Sequence, residues 1–126
     1  MNNKELCNTL IYIGITPDRK GFTYLQQAVL LVKATMMLKD VFHKLSIIFK
    51  TNKHTIDSSI RNAVQSAFNS GKLLRLNEKL GMEIIDKDTC PTTKVIICYL
   101  AHYLNMLTPE KDLGYGKSLQ GNLLMQ

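Results

Sequence analysis

The chain has 126 residues, 45% of them hydrophobic, and its 16 Lys or Arg against 10 Asp or Glu give a formal charge of +6. A length of this order predicts one domain that buries a core without disulfides or metals. The longest apolar run, residues 28–32, is far too short to span a membrane, and the amino terminus lacks the pattern of a signal peptide. The basic excess favours an anionic partner, either nucleic acid or an acidic protein surface.

Two helices are predicted in the first third of the chain. The first covers residues 3–13, with Asn3 as a candidate cap, and Gly14 ends it. The second covers residues 22–38, follows the helical period without an internal Gly or Pro, and is expected to be the central helix of the core. Between them, Arg19-Lys20-Gly21 is interpreted as a solvated basic turn in preference to a phosphate contact.

The stretch from residue 42 to residue 71 is typical of a helix-turn-helix. Asp40 could cap the first helix, whose inward face consists of Phe42, Leu45, Ile48 and Phe49. Asn52 is the predicted N-cap of the second helix, residues 53–70, and Gly71 ends it in the left-handed conformation. The inward stripe of this helix consists of Ile56, Ile60, Ala63, Val64, Ala67 and Phe68. In such a motif the second helix enters the major groove of DNA.

The outward face of this second helix carries the candidates for base recognition. They are His54, Thr55, Asp57, Ser58, Arg61, Asn62 and Gln65. An arginine can bind guanine through two hydrogen bonds, Asn or Gln can bind adenine in the same way, and an aspartate can accept from cytosine N4. A solvated helix face has a similar polar mixture, so the pattern alone leaves both interpretations open.

The distribution of charge favours the DNA-binding interpretation. From Lys44 to Lys79 there are seven Lys or Arg against two acids, whereas residues 80–112 contain three against five. The candidates for phosphate contacts are Lys50, Lys53, Lys72, Arg75 and Lys79. Concentrating the positive charge in this way is what a phosphate-facing surface requires.

The remainder of the chain predicts two more helices. A short one covers residues 72–80 and ends at Gly81, and residues 82–85 form either a strand or an extended connector. Thr92 and Thr93 cap a last helix over residues 94–107. Its inward residues are Ile96, Ile97, Leu100, Leu104 and Leu107. The expected fold is all-α with five to six helices, organised as a helix-turn-helix domain over residues 1–107 and a flexible tail over residues 108–126.

Neither an enzyme nor a metal or cofactor site is expected. The three histidines, His43, His54 and His102, lack metal-ligand spacing, and no Ser-His-Asp arrangement is present. The three cysteines are Cys7, Cys90 and Cys98. Their odd number and the absence of CxxC spacing predict free thiols in a reducing cytoplasm, with Cys7 and Cys98 packed among apolar residues.

Residues 13–29, IGITPDRKGFTYLQQAV, resemble the IGVPAxxKGYxYLREAI motif that opens the C-terminal DNA-binding domain of the sporulation master regulator (stage 0 sporulation protein A) of spore-forming Firmicutes. Further short motifs follow in the same order, with one gap before Lys44. They are Ile60–Ala63 for IRHA, Phe68–Gly71 for WSRG, Leu80–Met82 for FGY and Pro91–Thr93 for PTN. The resemblance covers roughly residues 10–104.

The resemblance implies an all-α domain that reads a short promoter element on double-stranded DNA, usually as two copies side by side. The departures from the family pattern are Thr55 and Ser58 in place of two arginines, Asn62 in place of a histidine, and Ser70 in place of the WSRG arginine. Asp57 and Arg61 are retained. Losing two guanine-binding arginines, each worth roughly 1–3 kcal/mol of discrimination, predicts a target different from the family's own.

Three functions remain open from the sequence. The first is a small transcriptional regulator with altered specificity, acting alone, as a homodimer or as a tandem pair on DNA. The second is a plasmid or phage accessory protein that marks a DNA site. The third is an interaction module that has lost base reading and modulates a protein partner. Because only about a dozen residues precede the match, no receiver domain and no control by phosphorylation within this chain are expected.

Overall fold

The computed structural model describes residues 2–34 and 36–107, and within these ranges the chain is all-α. The expected fold class is therefore confirmed, with six α-helices and a short 3₁₀ turn over Lys72–Leu74 in the described part. The helices are α1 (Asn2–Tyr12), α2 (Lys20–Lys33), α3 (Leu38–Ile48), α4 (Lys53–Asn69), α5 (Arg75–Leu80) and α6 (Thr93–Leu107). The tail predicted over residues 108–126 lies outside the described residues.

Helix α1 ends in a turn that only glycine accommodates easily. Gly14 has a φ of 98°, its N–H donates to the Ile11 carbonyl at 3.1 Å, and the Ile15 N–H donates to the Leu10 carbonyl at 2.9 Å. This pair of hydrogen bonds satisfies two carbonyls that the helix end would otherwise leave unpaired. Asn3 does not cap the helix, because α1 already begins at Asn2.

Helix α2 is the central helix, as predicted, and packs against α1, α3, α4 and α6. It ends at Lys33, however, and not at residue 38. Met36 and Leu38 remain half-buried against the core, although the backbone leaves the helix and is extended at Met37. The apolar period therefore continues across a break that the sequence pattern did not show.

Helix α3 begins two residues before Asp40, so Asp40 lies in its first turn and does not cap it. Its buried residues are Val41 and Leu45. Phe42 and Phe49 are half-buried against the core, as expected. The prediction for Ile48 was wrong, because this side chain is 50% exposed. Ile48 lies at the edge of the helix face whose centre contacts α2 and α4.

The segment between α5 and α6 is a connector and not a strand. The Asn77 side chain fixes it, because its Oδ1 accepts from the N–H groups of Ile84 at 2.9 Å and Ile85 at 2.8 Å, and its Nδ2 donates to the Ile85 carbonyl at 3.0 Å. One amide side chain thus supplies the hydrogen bonds that a neighbouring strand would make.

Helix α6 packs mainly against α2 and also contacts α1 and α4. The Thr92 hydroxyl accepts from the Val95 N–H at 3.3 Å, which confirms Thr92 as the cap. The expected inward residues Ile96, Ile97, Leu100 and Leu104 are fully buried. Leu107 is 45% exposed, contrary to expectation, because it lies in the last turn beyond the buried Leu104. Cys98 is also exposed, whereas Cys7 is half-buried against the core, as expected.

Candidate nucleic-acid interface

The turn between α3 and α4 sets the direction of the second helix. Phe49 ends α3, and Lys50 has a positive φ of 53°. The Lys50 N–H donates to the Ile47 carbonyl at 3.3 Å and the Thr51 N–H to the Ser46 carbonyl at 3.0 Å, the pattern usually completed by a glycine. Asn52 then caps α4, with its Oδ1 accepting from the Thr55 N–H at 2.8 Å, as predicted.

The inward stripe of α4 anchors the helix to the rest of the domain. Ile56, Ile60, Ala63, Val64 and Ala67 are buried, and Phe68 is half-buried against the core, so the predicted stripe is confirmed. Gly71, just beyond the helix, has the expected left-handed conformation with a φ of 82°. Because one side of α4 is packed along its whole length, the opposite side is presented to solvent as a rigid surface.

Glycine 21 allows α2 to approach α4 very closely. A Cβ atom at this position would lie 2.4 Å from the Ser59 carbonyl oxygen and 2.8 Å from the Ala63 Cβ. The basic stretch at residues 19–21 is therefore not a turn, because Lys20 and Gly21 already belong to α2 and Arg19 is its N-cap. The amino terminus of α2 is thereby placed against one flank of α4.

The structure brings the base-recognition candidates together on the outward side of α4. His54, Arg61, Asn62 and Gln65 are exposed, whereas Thr55, Asp57 and Ser58 are half-buried. The Gln65 Nε2 donates to the Asn69 Oδ1 at 2.9 Å, along the same side. These groups include both hydrogen-bond donors and acceptors, the two kinds of group that base edges also display.

The guanidinium of Arg61 is held in place by its own helix. Its Nη1 lies 2.5 Å from the Asp57 Oδ2, and its Nη2 donates to the Ser58 Oγ at 3.2 Å. The two charged side chains are 54% and 39% exposed, so the ion pair is worth only a few tenths of a kcal/mol. Such a weak pair orients the guanidinium and can still yield to a stronger partner.

A groove of about 490 Å³ separates α4 from the segment that leads into α6. It is lined by Asp57, Arg61, Gln65 and the residues from Cys90 to Lys94. A second, more apolar groove of about 450 Å³ near the start of α4 is lined by Leu38, Lys39, Phe42, Lys53, His54, Asp57 and Lys94. Lys94 borders both grooves, which places it beside α4. Nothing in the sequence pattern marked Lys94 as a candidate.

Arg19 lies against the other flank of α4. Its Nη2 donates to the Ser66 Oγ at 3.0 Å. The prediction of a solvated turn at residues 19–21 did not include this contact. The available signal was Gly21, because a glycine near the start of an apolar helix often marks a close approach of two backbones.

The predicted phosphate-binding residues fall into two groups. Lys50, Lys53 and Lys72 are exposed at the two ends of α4. Arg75 and Lys79 are half-buried instead, with the guanidinium carbon of Arg75 4.9 Å and the Lys79 Nζ 5.1 Å from the centre of the Tyr12 ring. The structure thus places these two side chains at the carboxyl end of α1, in cation–π contacts, and not on the outward side of α4.

Tyr12 is part of this cluster through its hydroxyl as well as its ring. It donates to the Glu78 Oε1 at 2.7 Å, and the Arg75 Nη1 donates to its backbone carbonyl at 3.1 Å. The hydrogen bond to Glu78 raises the pKa of the Tyr12 hydroxyl, because the carboxylate stabilises the protonated phenol. These contacts connect α5 to the carboxyl end of α1.

The described ranges, residues 2–34 and 36–107, also bear on metal and membrane binding. No group of three or more His, Cys, Asp or Glu side chains there is arranged to hold a metal ion. In the same ranges, no helix has the length and apolar character needed to cross a membrane. His43 and His102 are exposed and isolated from one another along the chain.

One family model matches most of the chain. The family model for "Sporulation initiation factor Spo0A C terminal" matches residues 6–104, which span the domain from α1 to α6. No solved structure matches the chain significantly. The family is one of DNA-binding domains of a sporulation transcription factor, and not of enzymes, so double-stranded DNA is the partner that it implies. This chain belongs to the family of Spo0A C-terminal domains.

Proposed function

We propose that this protein is a sequence-specific DNA-binding protein, a small transcriptional regulator that reads the major groove with α4. The observation that carries the proposal is the position of Arg61. Its guanidinium is held on the exposed side of the helix by Asp57 and Ser58, close to other polar groups that could reach base edges. A guanidinium oriented in this way loses less freedom when it binds guanine than an unrestrained one.

Each candidate on α4 has a role that its chemistry favours. Arg61 binds guanine O6 and N7, Asn62 or Gln65 binds adenine, and Asp57 either accepts from cytosine or orients Arg61. His54, Thr55 and Ser58 add contacts at the edges of the surface. Lys50, Lys53 and Lys72 bind phosphates, while Arg75 and Lys79 contribute to the positive field of the domain from their positions beside Tyr12.

The test is selection of bound sequences from a random duplex pool at about 150 mM salt, an ionic strength at which nonspecific binding is weak. We expect one enriched motif, and two adjacent copies of it would indicate a tandem pair. Arg61→Ala should abolish the preference for the motif, whereas Lys72→Ala should weaken binding to all sequences alike. Equal losses across sequences for both variants would contradict base reading by Arg61.

A second candidate function is favoured by Thr55 and Ser58, which stand where the family pattern has arginines. With these donors absent, the domain could bind and modulate a protein partner, such as another regulator. A partner that remains bound after nuclease treatment, together with no affinity for DNA at low salt, would support this function and exclude the first. An enriched duplex motif would exclude the second as the main function.

A further inference from the structure

We propose that Arg19, the N-cap of α2, and Lys94, in the first turn of α6, bind the two sugar-phosphate backbones that border the major groove when α4 lies in it. The inference rests on the proposed function and extends it, because it assigns two phosphate contacts outside the helix-turn-helix. The two residues would hold the recognition helix from opposite sides and fix its depth and register on the duplex.

The two residues lie on opposite flanks of α4. The α2 flank is marked by Ser59 and Ser66, seven residues and therefore about two turns apart on one side of the helix. The groove beside Lys94 is marked by Asp57 and Arg61. Asp57 and Ser59 are two positions apart, which at about 100° per residue puts them roughly 200° apart around the helix.

The width of an α-helix relative to that of the major groove indicates that these flanks would face phosphates. An α-helix with its side chains is about 10–12 Å across, and the major groove is about 12 Å wide, so the helix fills the groove. A cation seated against the flank of that helix consequently faces the strand at the groove edge, not the bases. Arg19 and Lys94 are both exposed and basic, as such a contact requires.

Two contacts fix the position of Arg19, one through its side chain and one through the backbone that follows it. Its Nη2 hydrogen bond to the Ser66 Oγ uses one N–H group and leaves the other donors of the guanidinium unused by that bond. The position of its backbone is fixed by the close approach of Gly21 to the Ser59 carbonyl. An arginine anchored at one edge can present its other edge to a phosphate with two hydrogen bonds.

On the opposite flank, Lys94 lies in the first turn of α6, a helix of 15 residues. The first N–H groups of a helix lack intrahelical partners, and the helix dipole favours an anion there. Thr93 adds an independent indication, because it is 7% exposed, lines the groove, and its hydroxyl finds no hydrogen-bond partner among the described residues. The charge of Asp57 across the groove is offset by its pairing with Arg61.

The experiment compares Arg19→Ala and Lys94→Ala with the unchanged protein in salt titrations of binding to the selected duplex. Each variant should lower the magnitude of the slope of log K against log salt concentration by about one. It should also weaken binding to the selected duplex and to a scrambled duplex by the same factor. Lys4→Ala, which removes an exposed lysine from α1, is the matched control and should leave the slope unchanged. Arg19→Lys and Lys94→Arg should largely restore it, which separates charge from folding.

Single methylphosphonate substitutions along each strand then locate the contacts. Neutralising the phosphate that Lys94 binds should weaken the unchanged protein but not Lys94→Ala, and the phosphate bound by Arg19 should lie on the other strand. Thr93→Val should weaken binding at the Lys94 phosphate only. Unchanged slopes with intact sequence preference, or both contacts on one strand, would overturn the inference and leave the proposed function standing. Absence of any DNA binding would overturn both.

Discussion

Asp57 is the ion-pair partner of Arg61 and would also compete with a base for its guanidinium. In the free protein the Nη1 of Arg61 donates to the Asp57 carboxylate, and its Nη2 donates to the Ser58 hydroxyl. Both nitrogens belong to the guanidinium that would bind guanine. The acid also places a negative charge on the surface proposed to bind DNA. Asp57 should therefore lower affinity for every sequence while sharpening the choice between sequences.

Asp57→Ala is expected to bind random duplexes more tightly, by roughly threefold to tenfold, because a charge that repels phosphates is removed. Its discrimination between the selected and a scrambled duplex should fall, because Arg61 is no longer oriented. Fluorescence anisotropy with both duplexes measures the two effects. Glu83→Ala removes an exposed acid from the connector before α6 and should change neither quantity. Unaltered discrimination in Asp57→Ala would exclude an orienting role.

At the scale of single elements, the packing of α2 against α4 depends most clearly on Gly21. At an ordinary helical position, replacing glycine with alanine stabilises a protein by about 0.5–1 kcal/mol. Gly21→Ala should instead lower the free energy of unfolding by roughly 1–3 kcal/mol, because the new methyl group overlaps the Ser59 carbonyl. Urea denaturation measures this change. Lys20→Ala, at the exposed neighbouring position, is the control and should remain close to the unchanged protein.

In the turn before α4, by contrast, a glycine is expected to stabilise the protein where the chain has another residue. Lys50 has a positive φ, which costs an L-residue roughly 1–2 kcal/mol and costs glycine almost nothing. After the greater entropy of glycine in the unfolded chain is subtracted, Lys50→Gly should raise the free energy of unfolding by about 0.5 kcal/mol. Lys44→Gly, in the interior of α3, should lower it by about 0.5–1 kcal/mol. A loss of stability in Lys50→Gly of similar size would contradict the interpretation.

The sequence predicted elements well where a local signal marks their ends. Asn52 and Thr92 were identified as caps because capping depends on side chains within a few residues. The end of α2 was missed because residues 36 and 38 keep the apolar period although the backbone between them is not helical. Periodicity reports which side chains are buried, and burial does not require the helix to continue.

At the scale of the whole molecule, the candidate site draws on elements that are distant in sequence. Residues of α4 could be predicted, because they follow from one helical period. Arg19 and Lys94 could not, because their proximity to α4 depends on how α2 and α6 pack around it. For Arg75 and Lys79, the sequence showed the charge but gave no indication of their contacts with the Tyr12 ring.

Binding of DNA should protect Cys90 from alkylation and leave Cys98 accessible. Cys90 lines the groove beside Arg61, whereas Cys98 lies on the exposed face of α6. Burial raises the pKa of the Cys90 thiol, so its alkylation at neutral pH is slow and accelerates as pH rises towards that pKa. The selected duplex should slow alkylation of Cys90 several-fold and leave Cys98 unchanged, as mass spectrometry of the peptides would show. Equal protection of both would place the duplex elsewhere.

The lysine at the turn before α4 has a consequence for how this sequence can vary. Glycine is better suited to the backbone there, yet the chain carries a positively charged residue beside the proposed recognition helix. A conformational cost retained next to a binding surface is a sign that the side chain serves the ligand more than the fold. Two selections on one library should consequently diverge at position 50. Selection for resistance to unfolding should enrich glycine, and selection for retention on duplex DNA should enrich lysine or arginine.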